Sequence, residues 1–406
     1  MVPNGWTKFP LSELTKEKIS YGIVQAGPHV ENGIPYIKSS NVGGDIDILT
    51  LQKTAPEIHH KYRRSAVHPN DIVFSLRGNI GRTSIVPIEL PEANLTQGTA
   101  RISVNNQNDT KFVYYQLASK KVLNRINALS KGSTFKEISL EELRKVTLIQ
   151  PPLQEQRKIA QILSTWDKTI ATTEKLIDAS KQQKKALMQQ LLTGKKRLID
   201  PETGKAFEGE WEEVELGKIT SIYDGTHSTP KYVEKGIPFY SVEHLTRDEF
   251  SNTKFITEEV FKKENKRVKL ERDDILMTRI GDIGTAKHLN WDVCASFYVS
   301  LALIKANKSK FNSAYMGYYI NSHEFHRELY KRTIHVAFPK KINLGEINHC
   351  KVLLPSISEQ QKIAFVLTAA DKEIELLAAK LAHFKQEKKA LMQQLLTGKR
   401  RVSLSS

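Results

Sequence analysis

Apolar residues recur at alternating intervals of four and three in two long segments of the chain. In the first segment they are Ile159, Leu163, Trp166, Ile170, Ile177, Leu187 and Leu191. In the second they are Ile363, Leu367, Ala370, Ile374, Leu377, Leu381, Phe384, Leu391 and Leu395. This spacing is typical of helices that bury one seam against a partner helix. Prolines precede each segment and a glycine follows it, so the pattern predicts two long helices forming a coiled coil.

The two stretches that precede these helices have a different pattern. Short apolar runs such as Asp71–Leu76 and Val299–Ile304 are bounded by Gly, Pro and Asn, which indicates strands. Lys111–Leu129 and Ala314–Tyr330 have the spacing of helices. Each stretch is therefore predicted to be an α+β module, and the polar, turn-rich sequence Ile199–Trp211 is predicted to be a linker.

The chain contains an internal duplication. Glu155–Arg197 aligns without a gap on Glu359–Arg401, and 24 of the 43 aligned positions are identical. The run KKALMQQLLTGK occurs whole in both copies, ending at Lys195 and at Lys399. The modules correspond more weakly, as in the GIP motifs that begin at Gly33 and Gly236. Two modules, each followed by a near-constant helix, therefore make up the chain.

The identities lie at the ends of the two helices, and positions 171–180 share no residue with 375–384. We interpret the middles as pairing with each other and the ends as facing identical partners; relaxed selection in mid-helix is the alternative. The predicted fold is α+β, with two pseudo-repeated globular domains separated by two long coiled-coil helices. Its predicted domains are a module over 1–150, a helix over 151–197, a linker over 198–210, a second module over 211–354 and a second helix over 355–401.

The charge of the chain favours a polyanionic partner. Lys and Arg number 61 against 45 Asp and Glu, which gives a formal net charge of +16. The two cysteines, Cys294 and Cys350, lie outside any metal-binding motif and are expected to be buried free thiols. The chain has neither an apolar export signal nor an apolar run of about 18 residues, so we expect a cytoplasmic location and no membrane partner.

The sequence lacks the motifs of two kinds of catalytic site. A methyltransferase acting on amino groups needs an [D/N/S]PP[Y/F/W] loop, whereas Pro151-Pro152 stands between Gln150 and Leu153. A phosphate-binding loop needs GxxxxGK[S/T], and the sequences around Gly194 and Gly398 lack its glycine spacing and hydroxyl residue. The GxxG runs at Gly78 and Gly281 are predicted to be tight turns. We therefore expect no catalytic residue, no metal site and no bound cofactor in this chain.

The duplicated layout resembles the specificity subunits of Type I restriction-modification systems. PPLQEQRKIAQIL and SISEQQKIAFVL are similar to that family's helix starts, and GSTFKEISLEEL at Gly132–Leu143 is similar to the close of its target recognition domains. The resemblance implies that each module recognises one half of a split double-stranded DNA site and that the two helices pair antiparallel. Since the modules differ, the site should be asymmetric and bipartite.

The resemblance also implies which subunits assemble with this chain. Two methyltransferase (modification) subunits would dock on the helices, and restriction subunits would join that core. S-adenosylmethionine would then be held by the methyltransferase subunits, and ATP and Mg²⁺ by the restriction subunits. This chain would be a DNA-recognition subunit without catalytic machinery of its own.

Candidate DNA-contacting residues are polar or basic side chains in the turns after the repeated motifs, because such groups can reach base edges and phosphates. In the first module they are Lys38, Ser39, Asn41, Arg77, Asn79, Arg82, Gln97, Lys131, Ser133, Thr134 and Lys136. In the second they are Ser241, Glu243, His244, Arg279, Asp282, Lys287, His335, Lys340 and Lys341. The clusters that end at Arg197 and Arg401 could contact phosphates or a partner, or could simply favour the helix C-termini.

Two other functions fit part of the pattern. A free-standing, two-headed DNA-binding regulator could use the same helices, and a coiled-coil adaptor could carry modules that do not bind DNA. The near-identical helix ends favour the specificity subunit, since they provide two equal docking sites for one kind of partner. A neighbouring methyltransferase gene would distinguish it from the regulator. DNA binding that weakens with salt would distinguish both from the adaptor.

Overall fold

The computed structural model describes residues 2–132 and 136–404, and the chain forms two compact units. The first unit combines Met1–Glu174 with Ala379–Ser406, and the second is Lys175–Ala378. Each unit thus contains one α+β module and one half of each long helix. Since the division falls within both helices, a unit is not a continuous module-plus-helix repeat.

The described residues of the first module form three small sheets. Its strands β1–β9 are Thr7–Pro10, Ser20–Tyr21, Ile34–Ile37, Gln52–Thr54, Ile72–Ser75, Thr83–Ile85, Asn94–Leu95, Thr99–Ile102 and Thr147–Gln150. Its helices α1–α4 are Pro56–Lys61, Thr110–Leu117, Lys120–Leu129 and Leu140–Lys145. The sheets have the strand orders β2-β8-β5-β6, β4-β3-β7 and β1-β9. Because β1 pairs antiparallel with β9, the two ends of the module lie side by side.

The second module repeats this topology after the first long helix, α5, which covers Leu153–Leu191. Its strands β10–β18 are Glu212–Glu215, Ile222–Asp224, Ile237–Tyr240, Lys254–Ile256, Ile275–Ile280, Asp282–His288, Ser296–Phe297, Leu301–Ile304 and Lys351–Leu354. Helices α6–α11 are Leu216–Ile219, Val242–Arg247, Glu258–Glu264, Ser313–Ile320, His323–Arg332 and Leu344–Asn348, and the second long helix, α12, covers Ile357–Leu395. The strand orders β11-β17-β14-β15, β13-β12-β16 and β10-β18 match those of the first module.

The two long helices are confirmed, with 39 residues each. In the first unit, Ile159 and Leu163 near the start of α5 share a buried cluster with Leu395 near the end of α12. In the second unit, Leu191 near the end of α5 shares a cluster with Ile363 near the start of α12. The helices therefore run antiparallel within each unit. The start of each helix thus packs against the end of the other, a contact that our sequence interpretation did not include. Contacts continue toward the middles, where Glu174 forms a 2.7 Å ion pair with Lys385.

Each of the two predicted module helices is in fact two helices. In place of one helix over Lys111–Leu129, α2 ends at Leu117 and α3 begins at Lys120. Ser119 is extended between them, and its hydroxyl accepts a hydrogen bond from the Val122 amide at 3.4 Å. Ser322 caps α10 in the same way in the second module. The prediction was wrong because helical apolar spacing continues across both breaks, which hides a serine acting as a new N-cap.

Two further expectations concern the burial of the cysteines and the absence of a membrane-spanning segment. Cys350 is buried, and burial raises the pKa of its thiol to about 12, but Cys294 is exposed, so the expectation of two buried thiols was half right. Within the described ranges, no helix is both long enough and apolar enough to cross a membrane.

Candidate nucleic-acid interface

In the first module, three polar segments from distant parts of the sequence meet. The turn after β3 contacts the turn after β5 through the Ser39 hydroxyl, which donates a hydrogen bond to the Arg77 carbonyl at 2.8 Å. The backbone of Glu137 bridges to both Arg77 and Lys131, which brings the loop after α3 to the same place. These segments border an open recess lined by Ser39, Ser40, Arg77, Gly78, Asn79 and Glu137. The structure therefore gathers most of the predicted residues of this module.

The exposed side chains at this edge are largely basic or amide-bearing. Arg77, Asn79 and Arg82 are exposed, and an Arg77 guanidinium nitrogen lies 3.5 Å from the Gln97 side-chain oxygen. Lys131 and Lys136, which lie between α3 and α4 in the sequence, are also exposed. Ser133 and Thr134, which were also predicted, lie outside the described residues. Cationic and amide groups of this kind can bind phosphates and hydrogen-bond base edges.

Asn41 and Lys38 are already engaged within the first module. The Asn41 side-chain oxygen accepts a hydrogen bond from the Lys38 amide at 3.0 Å and closes the short helical turn there. The Lys38 ammonium donates to the Gln52 side-chain oxygen at 2.5 Å and lies 5.5 Å from the centre of the Tyr36 ring. Asn41 thus shapes the turn, whereas the ammonium of Lys38 can exchange its exposed hydrogen bond for one to a ligand.

The second module forms the corresponding edge with different side chains. The Gly281 amide donates to the Lys340 carbonyl at 2.8 Å, and the backbone of Lys341 bridges to Ile280 and Ile334. Asp282, His335, Lys340 and Lys341 are exposed at this edge. Where the first module presents Asn79, the second presents Asp282, whose carboxylate accepts a hydrogen bond from Thr278 at 2.8 Å. The two edges therefore share a backbone frame but offer different hydrogen-bonding groups.

The first GxxG run forms a turn, as predicted, whereas in the second run Gly281 forms the turn between β14 and β15 and Gly284 lies within β15. Gly78 and Gly81 have positive φ angles of 74° and 81°, and Gly281 and Gly284 have angles of 85° and 101°. A Cβ atom at Gly81 would lie 2.6 Å from a Leu123 methyl group, and one at Gly284 would lie 2.8 Å from a Leu329 methyl group. The second glycine of each run is thus required both by its backbone conformation and by the helix that packs over it.

Arg279 and His244, two predicted contacts in the second module, are buried instead. The Arg279 guanidinium donates to the carbonyls of Val299 at 2.9 Å and Ile342 at 3.0 Å and lies 3.4 Å from the Asp224 carboxylate. Burial lowers the pKa of Arg279, and Asp224 opposes that shift. These bonds join three segments of the module, so we assign Arg279 a positioning role and leave it out of the proposed interface.

The remaining candidates of the second module surround helix α7. His244 Nδ1 accepts a hydrogen bond from the Ser241 amide at 2.9 Å, which is the role of Asn41 in the first module. The Ser241 hydroxyl donates to the exposed Glu243 carboxylate at 3.3 Å, and Lys287 forms a 2.5 Å ion pair with Asp248. A polar residue six positions after a GIP motif can cap the turn or face solvent, and the same sequence pattern accompanies both uses.

The basic clusters after the long helices each contain an arginine that is held within its unit. Arg401 binds the Glu155 carboxylate through two nitrogens at 2.6 and 2.7 Å, and its guanidinium lies 5.7 Å from the centre of the Trp6 ring. Arg197 binds Glu359 at the same two distances and lies 5.8 Å from Trp211. We call each set of Arg, Glu and Trp an anchor. Each of these two arginines is thus bound to a buried glutamate of its own unit. This contact, and not a phosphate or the charge preference of helix C-termini, explains their position.

A second duplicated contact was missed by the sequence analysis. The Tyr115 hydroxyl donates to Asp167 at 2.5 Å, and the Tyr318 hydroxyl donates to Asp371 at 2.7 Å. Burial and the neighbouring carboxylate raise the pKa of both tyrosines. The identity of Asp167 with Asp371 in the repeat was the available signal, but the tyrosines lie about 50 residues away in the variable modules. These contacts fix each module to its helices.

Residues 2–132 and 136–404 contain no group of three or more His, Cys, Asp and Glu side chains placed to hold a metal ion. What both edges offer is an exposed set of hydrogen-bonding and cationic groups on a braced backbone. Such a surface can bind an extended polyanion and discriminate among its base edges.

Comparisons with known proteins find a matching family model, two relatives and a solved structure of similar fold. A family model described as the Type I restriction modification DNA specificity domain matches residues 3–182 and again residues 208–386. The chain is 30% identical over 422 residues to the putative type I restriction enzyme MjaX specificity subunit of Methanocaldococcus jannaschii, covering 99% of this chain and 95% of that protein. It is 26% identical over 420 residues to the MjaVIII specificity subunit of the same organism, covering 99% and 94%. Its fold is similar to the crystal structure of a Type I restriction-modification system S subunit from M. genitalium, with a TM-score of 0.62, 18% identity and coverage of 100% and 99%.

Proposed function

Because this chain belongs to the family of Type I restriction-modification DNA specificity subunits, with two copies of its domain, we propose that each module recognises one half of an asymmetric, bipartite DNA site. The function of the chain is sequence-specific DNA recognition within such a system, and the free-standing regulator is not favoured.

The observation that carries the proposal is the pair of corresponding edges. Both use a GxxG turn braced by a later segment, yet Arg77 and Asn79 of the first correspond to Ile280 and Asp282 of the second. The same frame with different donors and acceptors should recognise different bases. The proposed interface is Lys38, Ser39, Arg77, Asn79, Arg82, Gln97, Lys131 and Lys136 in one module and Glu243, Asp282, Lys287, His335, Lys340 and Lys341 in the other.

The duplicated helix ends indicate which kind of partner binds this chain. Since KKALMQQLLTGK is identical in the two copies, its exposed side chains offer one docking surface twice, which suits two copies of a single methyltransferase subunit. We propose that restriction subunits join this core, that S-adenosylmethionine is bound by the methyltransferase subunits, and that ATP and Mg²⁺ are bound by the restriction subunits.

The proposed role of this chain is recognition without catalysis, and the purified protein tests it directly. The chain alone, incubated with DNA and labelled S-adenosylmethionine, should transfer no methyl group, and with ATP and Mg²⁺ it should not cut DNA. When the modification subunits are added, DNA should be methylated at one defined site. Methyl transfer by the purified chain would contradict the proposal.

Methylome sequencing of cells that express the chain with its partner subunits tests the recognition function. The expected result is one methylated motif with two unequal half-sites separated by a gap of fixed length. A palindromic motif, a continuous motif, or methylation that does not depend on this chain would refute the proposal.

A further inference from the structure

The loop at the edge of the second module carries an apolar tip. Val336 and Phe338 have relative exposures of 96% and 104%, so neither side chain packs on the rest of the protein. Tyr330, on the adjoining helix, is 69% exposed, and its ring centre lies 4.4 Å from that of His335. An isolated exposed apolar residue is common, but a cluster on one projecting loop marks a binding surface.

The base of this loop is firmly braced. The Ile334 amide donates to the Lys341 carbonyl at 2.8 Å, and the Gly281 amide donates to Lys340 at 2.8 Å. The buried guanidinium of Arg279 binds the carbonyl of Ile342, which directly follows the loop, at 3.0 Å. The tip is therefore held away from the core by its own backbone hydrogen bonds, and an arginine expected to contact DNA instead supports the loop.

The charge around the tip suits a polyanion. The sequence from Ile334 to Ile342 is IHVAFPKKI, which contains two lysines and a histidine but no carboxylate. His335, Lys340 and Lys341 are all exposed beside Phe338. An apolar wedge flanked by cations is the arrangement by which proteins enter a DNA base step while holding the adjacent phosphates. Asp282 lies at the base of the loop, but the loop itself contains no carboxylate to offset its cations, which favours DNA over a protein partner.

We propose that Phe338 inserts between two adjacent base pairs of the half-site recognised by the second module, with Val336 packed against the same step. Lys340 and Lys341 hold the flanking phosphates. This inference rests on the proposed function, since it assigns a residue and a mode of contact to one of the two edges. The unstacked step adds sequence preference at a position that no side chain need hydrogen-bond, because some base steps unstack more easily than others.

The test uses the complex of the full chain with its modification subunits and a duplex carrying the site found by methylome sequencing. 2-Aminopurine, which fluoresces more strongly when unstacked, replaces one base at a time across the second half-site. Wild-type protein should raise the fluorescence at one step. Phe338→Ala should abolish that rise and weaken binding about tenfold, in the range expected for loss of one stacked aromatic group. Phe338→Leu, which keeps an apolar wedge, should retain part of both effects.

Controls separate this contact from other causes. Ile88→Ala removes another exposed apolar side chain, 72% exposed in the first module, and should change neither signal. A base extruded by a methyltransferase subunit would fluoresce equally with wild type and Phe338→Ala.

Three results would overturn the inference in distinguishable ways. If Phe338→Ala retains both the fluorescence rise and wild-type affinity, Phe338 is not a wedge. If the variant responds normally to DNA but no longer copurifies with the modification subunits, the tip is a protein contact. If wild-type complex binds the site and a scrambled duplex equally, the proposed function fails, and this inference fails with it.

Discussion

Arg401 holds Glu155 through two hydrogen bonds, from Nε at 2.6 Å and from Nη2 at 2.7 Å, although 246 residues separate them. Glu155 is almost fully buried, and Trp6 donates a further hydrogen bond to its carboxylate at 3.3 Å. Arg197 and Glu359 repeat the ion pair in the second unit. The duplicated helix ends therefore carry the same anchor twice.

The anchor of the second unit should be a main support of its helix pair. Arg197→Ala would leave the carboxylate of Glu359, 1% exposed, without its cation. Breaking such a pair costs several kcal/mol when both groups are buried, and about 2 kcal/mol is expected here because Arg197 is partly exposed. Hydrogen exchange at the start of α12 should therefore quicken roughly thirtyfold.

Two further variants make that prediction specific. Lys262→Ala removes an exposed ion pair with Glu258 in the same unit and should leave exchange unchanged. The double change Arg197→Met and Glu359→Leu removes both charges and should recover much of the protection. If the double variant exchanges as fast as Arg197→Ala, buried charge is not the cause of the loss.

Arg77 and Lys131 should differ in how their loss affects DNA binding. Arg77 faces the recess beside Gln97, so Arg77→Ala should cost about 1–3 kcal/mol on the specific site and relax the preference at one base. Lys131 is exposed, so Lys131→Ala should weaken binding to all duplexes alike. It should also lower the slope of log affinity against log salt concentration by about one. Fluorescence anisotropy on specific and scrambled duplexes at several salt concentrations measures both.

Lys145→Ala is the matched control for these two changes. Lys145 is already paired with Glu141 at 2.6 Å and with Glu142 at 3.4 Å, so its charge is compensated within the first module. Its loss should alter neither the affinity nor the salt slope. If Arg77→Ala lowers the affinity for specific and scrambled DNA equally, Arg77 binds phosphate and does not recognise a base.

The second module should be exchangeable as a block. Strands β10 and β18 pair antiparallel from Glu212 with Leu354 to Glu215 with Lys351, which places both ends of the module side by side. Replacement of residues 211–354 by the matching module of a relative should change one half-site and leave the other half-site and the gap unaltered. Methylome sequencing detects this outcome, and a simultaneous change in both half-sites would contradict the modular interpretation.

The length of the helices should set the unread gap in the DNA site. Thr173 and Ile177 in mid-α5 are buried, so a four-residue insertion there would turn the buried face, whereas a seven-residue insertion nearly preserves it. Seven residues added to both helices lengthen each by roughly 10 Å. At about 3.4 Å per base pair, the gap should grow by about three base pairs. Binding selections with variable spacers measure it, and an unchanged gap in a folded variant would exclude the helices as a ruler.

The sequence predicted the repeated features of this protein better than the unrepeated ones. The heptad seam and the duplicated run identified α5 and α12, since packing along one seam requires a regular pattern. The use of each polar side chain was less predictable. Arg279 and Arg77 both follow a buried strand run, yet one points into the core and the other to solvent. The GxxG alignment equates Arg279 with Leu76, a buried position, which was the available sign of this difference.

The anchors also bear on how the chain folds during synthesis. The second unit contains the continuous segment Lys175–Ala378, whereas the first requires Ala379–Ser406 to complete the cluster around Trp6, Ile159 and Leu163. At about 5–20 residues per second, roughly ten to fifty seconds pass between synthesis of the first module and that of Arg401. The module made first is thus the last to be completed, and the apolar surface that the end of α12 covers lacks this cover until the last residues are made.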